Sequence, residues 1–118
     1  MRNFRELEVW SISKNLAKGI FQVTRNFPKS EIYGLTSQLT RSAISIPSNI
    51  AEGCSRSSNK EFVRFLEIAL GSAFELETQL VIAQDFGYIE ETQLVEFLHL
   101  IHDLQKKINA FIKSVKKF

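Results

Sequence analysis

Apolar residues recur at spacings of three and four in four stretches of this chain, a pattern typical of amphipathic helices. Pro28 is expected to stop the first helix, and Gly53 and Gly87 are expected to follow the second and third. No alternating apolar and polar run predicts a strand. The predicted helices span roughly residues 7–27, 34–53, 58–86 and 90–116.

The third and fourth stretches carry additional helix signals. Ser58 and Glu61 form a capping-box sequence before the third helix, and Glu90 and Glu91 place acidic side chains in the first turn of the fourth. Short connections between long helices favour antiparallel neighbours. The sequence therefore predicts an all-α, antiparallel, up-down-up-down four-helix bundle that forms one domain over residues 1–118.

Helices 1 and 3 each carry a second apolar stripe, about a quarter turn from the residues predicted to face the core. A wide core-facing stripe would absorb part of it. Two helices with two stripes each instead indicate a second buried surface, so self-association is predicted. The predicted interface residues are Trp10, Ala17, Phe21, Val63, Leu70, Phe74 and Val81.

The second helix contains a polar stretch, "SIPSNIAEG", where a core helix is normally apolar. Pro47 lacks a backbone donor and clashes with the carbonyl of Ala43, so a bend is expected there. Asn49 and Glu52 are expected to hydrogen-bond to an adjacent helix or subunit. We call this set the polar seam; it comprises Gln38, Ser42, Ser45, Pro47, Asn49, Glu52 and Gly53.

Charge is unevenly distributed along the chain, although the net charge is only +2. Residues 1–60 carry +5, residues 61–103 carry −8 and residues 104–118 carry +5. The basic parts are compatible with an anionic partner, and equally with basic and acidic faces that meet in self-association. The candidate nucleic-acid contacts are Arg2, Arg5, Lys14, Lys18, Arg25, Lys106, Lys107, Lys113, Lys116 and Lys117.

Catalytic and metal-binding patterns are weak in this sequence. Glu96 and His99 form E-x-x-H, but the second E-x-x-H that a di-iron bundle requires is missing, because the other histidine is His102. Cys54 has no base at a defined spacing, and the five glycines are too dispersed for a phosphate loop. We predict no catalytic residue, no metal, no cofactor and no enzymatic activity.

The chain should be cytoplasmic and should not enter a membrane. No apolar run reaches the ~18 residues that a spanning helix needs. The N-terminal sequence has no apolar signal-peptide core. A single cysteine forbids an internal disulfide and fits a reducing compartment.

Three segments of the sequence are shared with a known family. They are "FRELEVW" at 4–10, "YGLTSQLTRSAISIPSNIAEG" at 33–53 and "EFVRFLEIALGSAFELETQL" at 61–80, together with "FP" at 27–28. The chain thereby resembles the 23S ribosomal RNA intervening-sequence proteins, a family of four-helix bundles. The segment at 33–53 is the most specific part of the match.

The resemblance implies a left-handed antiparallel bundle and, for the assembled protein, a pentameric ring. A similar protein, the accessory protein of diversity-generating retroelements, contacts reverse transcriptase and nucleic acid. No catalytic residue is defined for the family, so none is transferred to this chain.

Two functions remain open from the sequence. The first is an oligomeric bundle that binds RNA or DNA through a basic face, with contacts that are independent of base sequence and sensitive to salt. The second is a structural or protein-binding scaffold that does not bind nucleic acid. The positions of the cations in the folded chain distinguish the two.

Overall fold

The computed structural model describes residues 1–117 and shows an all-α four-helix bundle with no strand in that range. Each predicted helix is present, with ends shifted by at most three residues. Two short 3₁₀ turns, Phe4–Glu6 and Lys29–Glu31, precede the first two helices. The helices are α1 (Glu8–Thr24), α2 (Leu35–Cys54), α3 (Asn59–Asp85) and α4 (Glu91–Lys116).

Helices that are consecutive in sequence pack side by side, and α4 also packs against α1. Backbone contacts join neither α1 with α3 nor α2 with α4 within residues 1–117, so α1 and α3 occupy diagonal positions. The described chain forms an elongated body of 46 × 24 × 19 Å. The handedness of the bundle stays a prediction.

Contacts at one end of the bundle show which helix termini meet there. The backbone N–H of Arg2 donates to the carbonyl of Cys54 at 3.1 Å, which places the start of the chain against the end of α2. The Phe62 ring packs edge-on against Phe111. This end therefore contains the start of α1, the end of α2, the start of α3 and the end of α4.

Local sequence signals explain most of the helix ends. The Ser58 hydroxyl accepts from the backbone N–H of Glu61 and caps α3, as predicted. Gly87, at φ 76°, ends α3 with the backbone N–H of Tyr88 bonded to the carbonyl of Ala83, the pattern of a Schellman motif. The prediction for the end of the first helix was wrong by three residues, because the chain turns between Thr24 and Phe27 and buries the Phe27 ring.

Two of the predicted interface residues belong to the core of the single chain. Ala17 is 5% exposed and Val63 is 7% exposed, so neither is accessible to a second copy. Trp10 and Leu70 are partly buried and pack against the same core. Phe21, Phe74 and Val81 remain exposed. The buried faces of α1 and α3 are thus wider than the repeating residues alone indicated.

Gly53 lies inside α2 and does not follow its end, so the predicted role as a helix terminator was wrong. Its backbone has no positive φ. A Cβ at this position would stand 2.8 Å from the Phe65 Cβ and 2.9 Å from the Phe62 ring. Glycine is required here because α2 and α3 approach each other closely.

None of the helices in the described range is both long enough and apolar enough to cross a membrane.

Candidate nucleic-acid interface

Cations from three parts of the chain converge at the end of the bundle where α3 begins and α4 ends. The Arg2 guanidinium donates to Asn59 Oδ1 at 3.3 Å and lies 4.6 Å from the centroid of the Phe62 ring. These contacts hold the side chain against the first turn of α3. We call this region the basic end; its cations are Arg2, Lys60, Arg64, Lys113, Lys116 and Lys117.

A surface groove of about 840 Å³ separates the start of α3 from the end of α4 at this position. Lys60 and Arg64 line its α3 side, and Lys116 lines its α4 side. Val63 and Val115 form an apolar floor, while Glu61 and Glu67 add negative charge to the α3 wall. Cations thus face the groove from two helices, an arrangement that suits an extended anion.

The predicted C-terminal lysines differ in how free their charges are. Lys113 and Lys116 are exposed at the end of α4, and Lys117 follows it directly. None of the three has an ion-pair partner within residues 1–117. Lys107 instead pairs with Glu8 at 3.0 Å and Asp103 at 3.3 Å, and these acids raise the pKa of its ammonium group. Its charge is already largely compensated within the chain.

The remaining predicted cations lie outside the groove between α3 and α4. Lys106 lines a separate groove on α4 beside His102 and Asp103. Arg5 lies over the Phe4 ring, 4.7 Å from its centroid, and lines a small pocket together with Arg2 of the basic end. The cations of α1, which are Lys14, Lys18 and Arg25, extend along the outside of that helix, and Arg25 stands about 25 Å from its start.

Lys60 and Arg64 were missed by the sequence analysis. Both lie in the first turns of α3; Lys60 ends the basic segment 1–60, and Arg64 belongs to the strongly acidic segment 61–103. What could have identified Lys60 and Arg64 is their place in the predicted bundle. Because the predicted bundle brings the start of α3 beside the end of α4, any cation in those turns joins the C-terminal lysines.

The polar seam joins α2 to α3 through buried and half-buried hydrogen bonds. Ser42 Oγ donates to Gln79 Oε1 at 2.6 Å, and both residues are buried. The hydroxyls of Ser45 and Ser72 lie 2.9 Å apart. Gln79 Nε2 donates to Gln38 Oε1 at 3.3 Å. Gln79, the α3 partner of the seam, was not singled out from the sequence.

Two members of the polar seam, Asn49 and Glu52, do not bond to an adjacent helix within the described residues. Asn49 Nδ2 donates to the carbonyl and hydroxyl of Ser45, one turn earlier on α2. Glu52 is exposed and pairs with Arg56 at 3.3 Å. A contact of Asn49 or Glu52 with another subunit stays a prediction, as does the bend at Pro47.

The histidines and the cysteine do not assemble into a reactive centre in the described part of the chain. Glu96 and His99 are exposed on α4, and His102 lies 3.1 Å from Glu77 Oε2. Cys54 is buried in the last turn of α2, where burial raises the pKa of its thiol. Within residues 1–117, no group of three potential ligands is placed to hold a metal ion.

Fold and surface together define an all-α four-helix bundle with a basic end and a polar seam between its central helices. A family model described as 23S rRNA-intervening sequence protein matches residues 5–110. The chain therefore belongs to the 23S rRNA-intervening sequence protein family.

A solved structure supports the same assignment. It is a crystal structure, at 1.70 Å resolution, of a protein with unknown function from the S23 ribosomal protein family of Bacteroides thetaiotaomicron VPI-5482. The two proteins are 27% identical, with a TM-score of 0.80, over 89% of this chain and 98% of the other. No curated protein matches this chain.

Proposed function

We propose that this protein is a non-enzymatic homo-oligomer that binds RNA or DNA through its basic end. The observation that carries the proposal is the convergence of Lys60, Arg64 and Lys116 on one groove between α3 and α4. Such cations contact phosphates without reading bases, so binding would be independent of sequence and would weaken with salt.

Self-association is supported by large apolar side chains that the single chain leaves exposed. Phe21 is 42% exposed, Phe74 is 55% exposed and Val81 is 39% exposed, and all belong to the interface predicted from sequence. Burying such side chains against a second copy is favourable by about 25 cal/mol per Å² of apolar surface removed from water. Family resemblance favours a pentameric ring as the assembly.

The test of nucleic-acid binding is a salt titration with labelled structured RNA and labelled duplex DNA, followed by fluorescence anisotropy. The logarithm of the binding constant is expected to fall linearly with the logarithm of salt concentration, by about 0.9 per phosphate contacted on duplex DNA. Lys113→Glu/Lys116→Glu is expected to weaken binding to both nucleic acids and to reduce that slope.

A charge-matched control for this variant lies at the other end of the bundle. Lys29→Glu/Arg41→Glu changes the net charge by the same amount, and both side chains are exposed near the start of α2. It should weaken binding far less than Lys113→Glu/Lys116→Glu. Equal weakening by the two variants, or no binding by the wild type at low salt, would refute the proposal.

A protein-binding scaffold without nucleic-acid affinity is the second candidate. The exposed apolar side chains of α1 and α3 favour it independently of the basic end. An oligomer that binds neither RNA nor DNA at low salt would support this candidate over the first.

A further inference from the structure

The outward surface of α1 combines basic charge with one large apolar side chain. Lys14, Lys18, Phe21 and Arg25 follow one another at spacings of four, three and four, so they lie within an arc of about 60°. All are exposed. No acidic side chain within residues 1–117 pairs with these cations, and Lys14 Nζ lies 5.2 Å from the centroid of the Trp10 ring. We call these four residues the α1 stripe.

The outward surface of α3 has the opposite charge and more apolar surface. Glu67, Phe74, Val81 and Asp85 lie within an arc of about 40° on that helix, and all are exposed. Neither acid pairs with a cation in the described part of the chain. We call these four residues the α3 stripe.

The two stripes cannot contact each other within one chain. α1 and α3 are diagonal in the bundle, each packs against α2 and α4, and no backbone contact joins them in residues 1–117. Both stripes lie on the sides of their helices that face away from the core. Each copy therefore presents a basic stripe and an acidic stripe on opposite sides of its body.

We propose that the α1 stripe of one copy docks on the α3 stripe of a second copy. In this contact Phe21 packs with Phe74 and Val81, while the cations of α1 face Glu67 and Asp85. Complementary charge at the rim of an apolar centre selects the partner and the register. This inference rests on the proposed self-association but not on nucleic-acid binding.

The contact is heterologous, since it joins two different surfaces. An open assembly of this kind leaves one α1 stripe free at one end and one α3 stripe free at the other. The contact can therefore repeat until the assembly closes a ring, or it extends a filament. The geometry also assigns Lys14, Lys18 and Arg25 to assembly, and leaves nucleic acid to the basic end.

Light scattering after size-exclusion chromatography tests the contact through paired charge reversals. Lys18→Glu/Arg25→Glu makes both stripes acidic, and Glu67→Lys/Asp85→Lys makes both basic. Each double variant is expected to reduce the measured mass toward that of the 13.5 kDa chain. The quadruple variant has opposite charges on its stripes again and should regain the wild-type mass.

Two further variants make the test specific. Lys113→Glu/Lys116→Glu changes charge as much as the α1 double variant and should keep the wild-type mass. Phe74→Ser removes exposed apolar surface without creating a cavity and should lower the mass as well. Circular dichroism on every variant confirms that the helices are intact.

The outcomes separate this inference from the proposed function. A monomeric wild type would refute both the proposed self-association and the docking. An oligomer whose mass neither charge reversal changes would refute the docking alone. If Lys18→Glu/Arg25→Glu kept its mass and lost nucleic-acid affinity, the α1 stripe would belong to the nucleic-acid surface and the docking would be wrong. If the mass changes occurred as expected but no nucleic acid bound, the docking would be supported. Only the proposed binding of nucleic acid at the basic end would be refuted.

Discussion

Gly53 of α2 must be glycine because α3 approaches it closely. At Gly53 an added Cβ would meet Phe62 and Phe65 at distances below 3.0 Å, and both belong to the adjacent helix. At Gly71 on α3, nothing lies within 4 Å of an added Cβ. The same substitution therefore has opposite expected effects at two helical glycines.

Gly53→Ala is expected to destabilise the protein, and Gly71→Ala to stabilise it. Alanine gains about 1 kcal/mol of helix propensity at either site. Overpacking at Gly53 costs about 1–3 kcal/mol, which outweighs that gain. Urea unfolding measures both variants, made in the Lys18→Glu/Arg25→Glu background so that self-association does not enter. A Gly53→Ala variant more stable than its parent would show that α2 and α3 separate at little cost.

A carboxylate near the opposite end of the bundle joins three elements. Glu31 Oε1 accepts from the backbone N–H of Leu35 at 3.0 Å, and Glu31 Oε2 accepts from the Tyr88 hydroxyl at 2.9 Å. The Leu35 contact, followed by the Tyr88 contact, lowers the pKa of Glu31. The carboxylate thus accepts from a backbone N–H at the start of α2 that has no partner within the helix, and it links that helix start to the α3–α4 connection.

The lowered pKa of Glu31 makes stability depend on pH in a defined direction. Its contribution is present above the unfolded pKa of about 4.3 and is lost as pH falls through the lower folded pKa. Glu31→Gln should therefore lose stability near neutral pH, and its melting temperature should fall less steeply below about pH 4.3. Melting curves from pH 7 to pH 3 compare it with the wild type. Parallel profiles would show that Glu31 does not titrate differently in the folded chain.

At the scale of elements, a buried polar pair fixes how α2 lies on α3. Ser42 and Gln79 are both buried, and no buried side-chain nitrogen or oxygen in the described range lacks a hydrogen-bond partner. A satisfied pair of this kind contributes little net stability, but removing one partner leaves the other without its bond. Its main effect is on the register of the two helices.

Ser42→Ala is expected to destabilise the protein by about 1–3 kcal/mol, because Gln79 Oε1 loses its buried donor. Ser42→Ala/Gln79→Leu replaces both partners and should recover most of that loss. Gln79→Leu completes a double-mutant cycle measured by urea unfolding. Additive effects of the two single changes would show that the 2.6 Å contact carries no coupling energy.

The positions of the helices follow from sequence because periodicity and end signals act within a few residues. Ser58 and Gly87 mark their helix ends locally, so the sequence suffices there. The burial of Ala17 and Val63 depends on how closely the neighbouring helices approach. The spacing of apolar residues along one helix does not predict that distance. For the same reason Gly53, which was predicted to end the second helix, is instead the point where α2 contacts α3.

The candidate site was only partly predictable for a related reason. Lys113, Lys116 and Lys117 form a cluster in sequence, whereas Arg2, Lys60 and Arg64 join them only after the chain has folded. Within one copy, Lys18 and Arg25 lie along and just after α1, away from this cluster. The position of a cation along its helix decides at which end of the bundle it lies. Charge counts over sequence segments do not predict that position.

At the scale of the whole molecule, cations of α3 and α4 that are unpaired within residues 1–117 gather at one end of the long axis. The basic end carries the cations of α3 and α4, while Asp85, Glu90 and Glu91 lie at the opposite end, where α3 finishes and α4 starts. Lys29 and Arg41 are also exposed at that opposite end, so acids and cations are mixed there and a polyanion would be attracted mainly to the basic end. The account thus predicts that the protein binds nucleic acid end-on, in a complex that salt dissociates.

Sedimentation velocity of the wild-type protein mixed with a labelled duplex tests this central claim most directly. At low salt the duplex should sediment together with a protein boundary heavier than the 13.5 kDa chain, and added salt should release it. A duplex that sediments as free nucleic acid at low salt, in the presence of excess protein, would contradict the account.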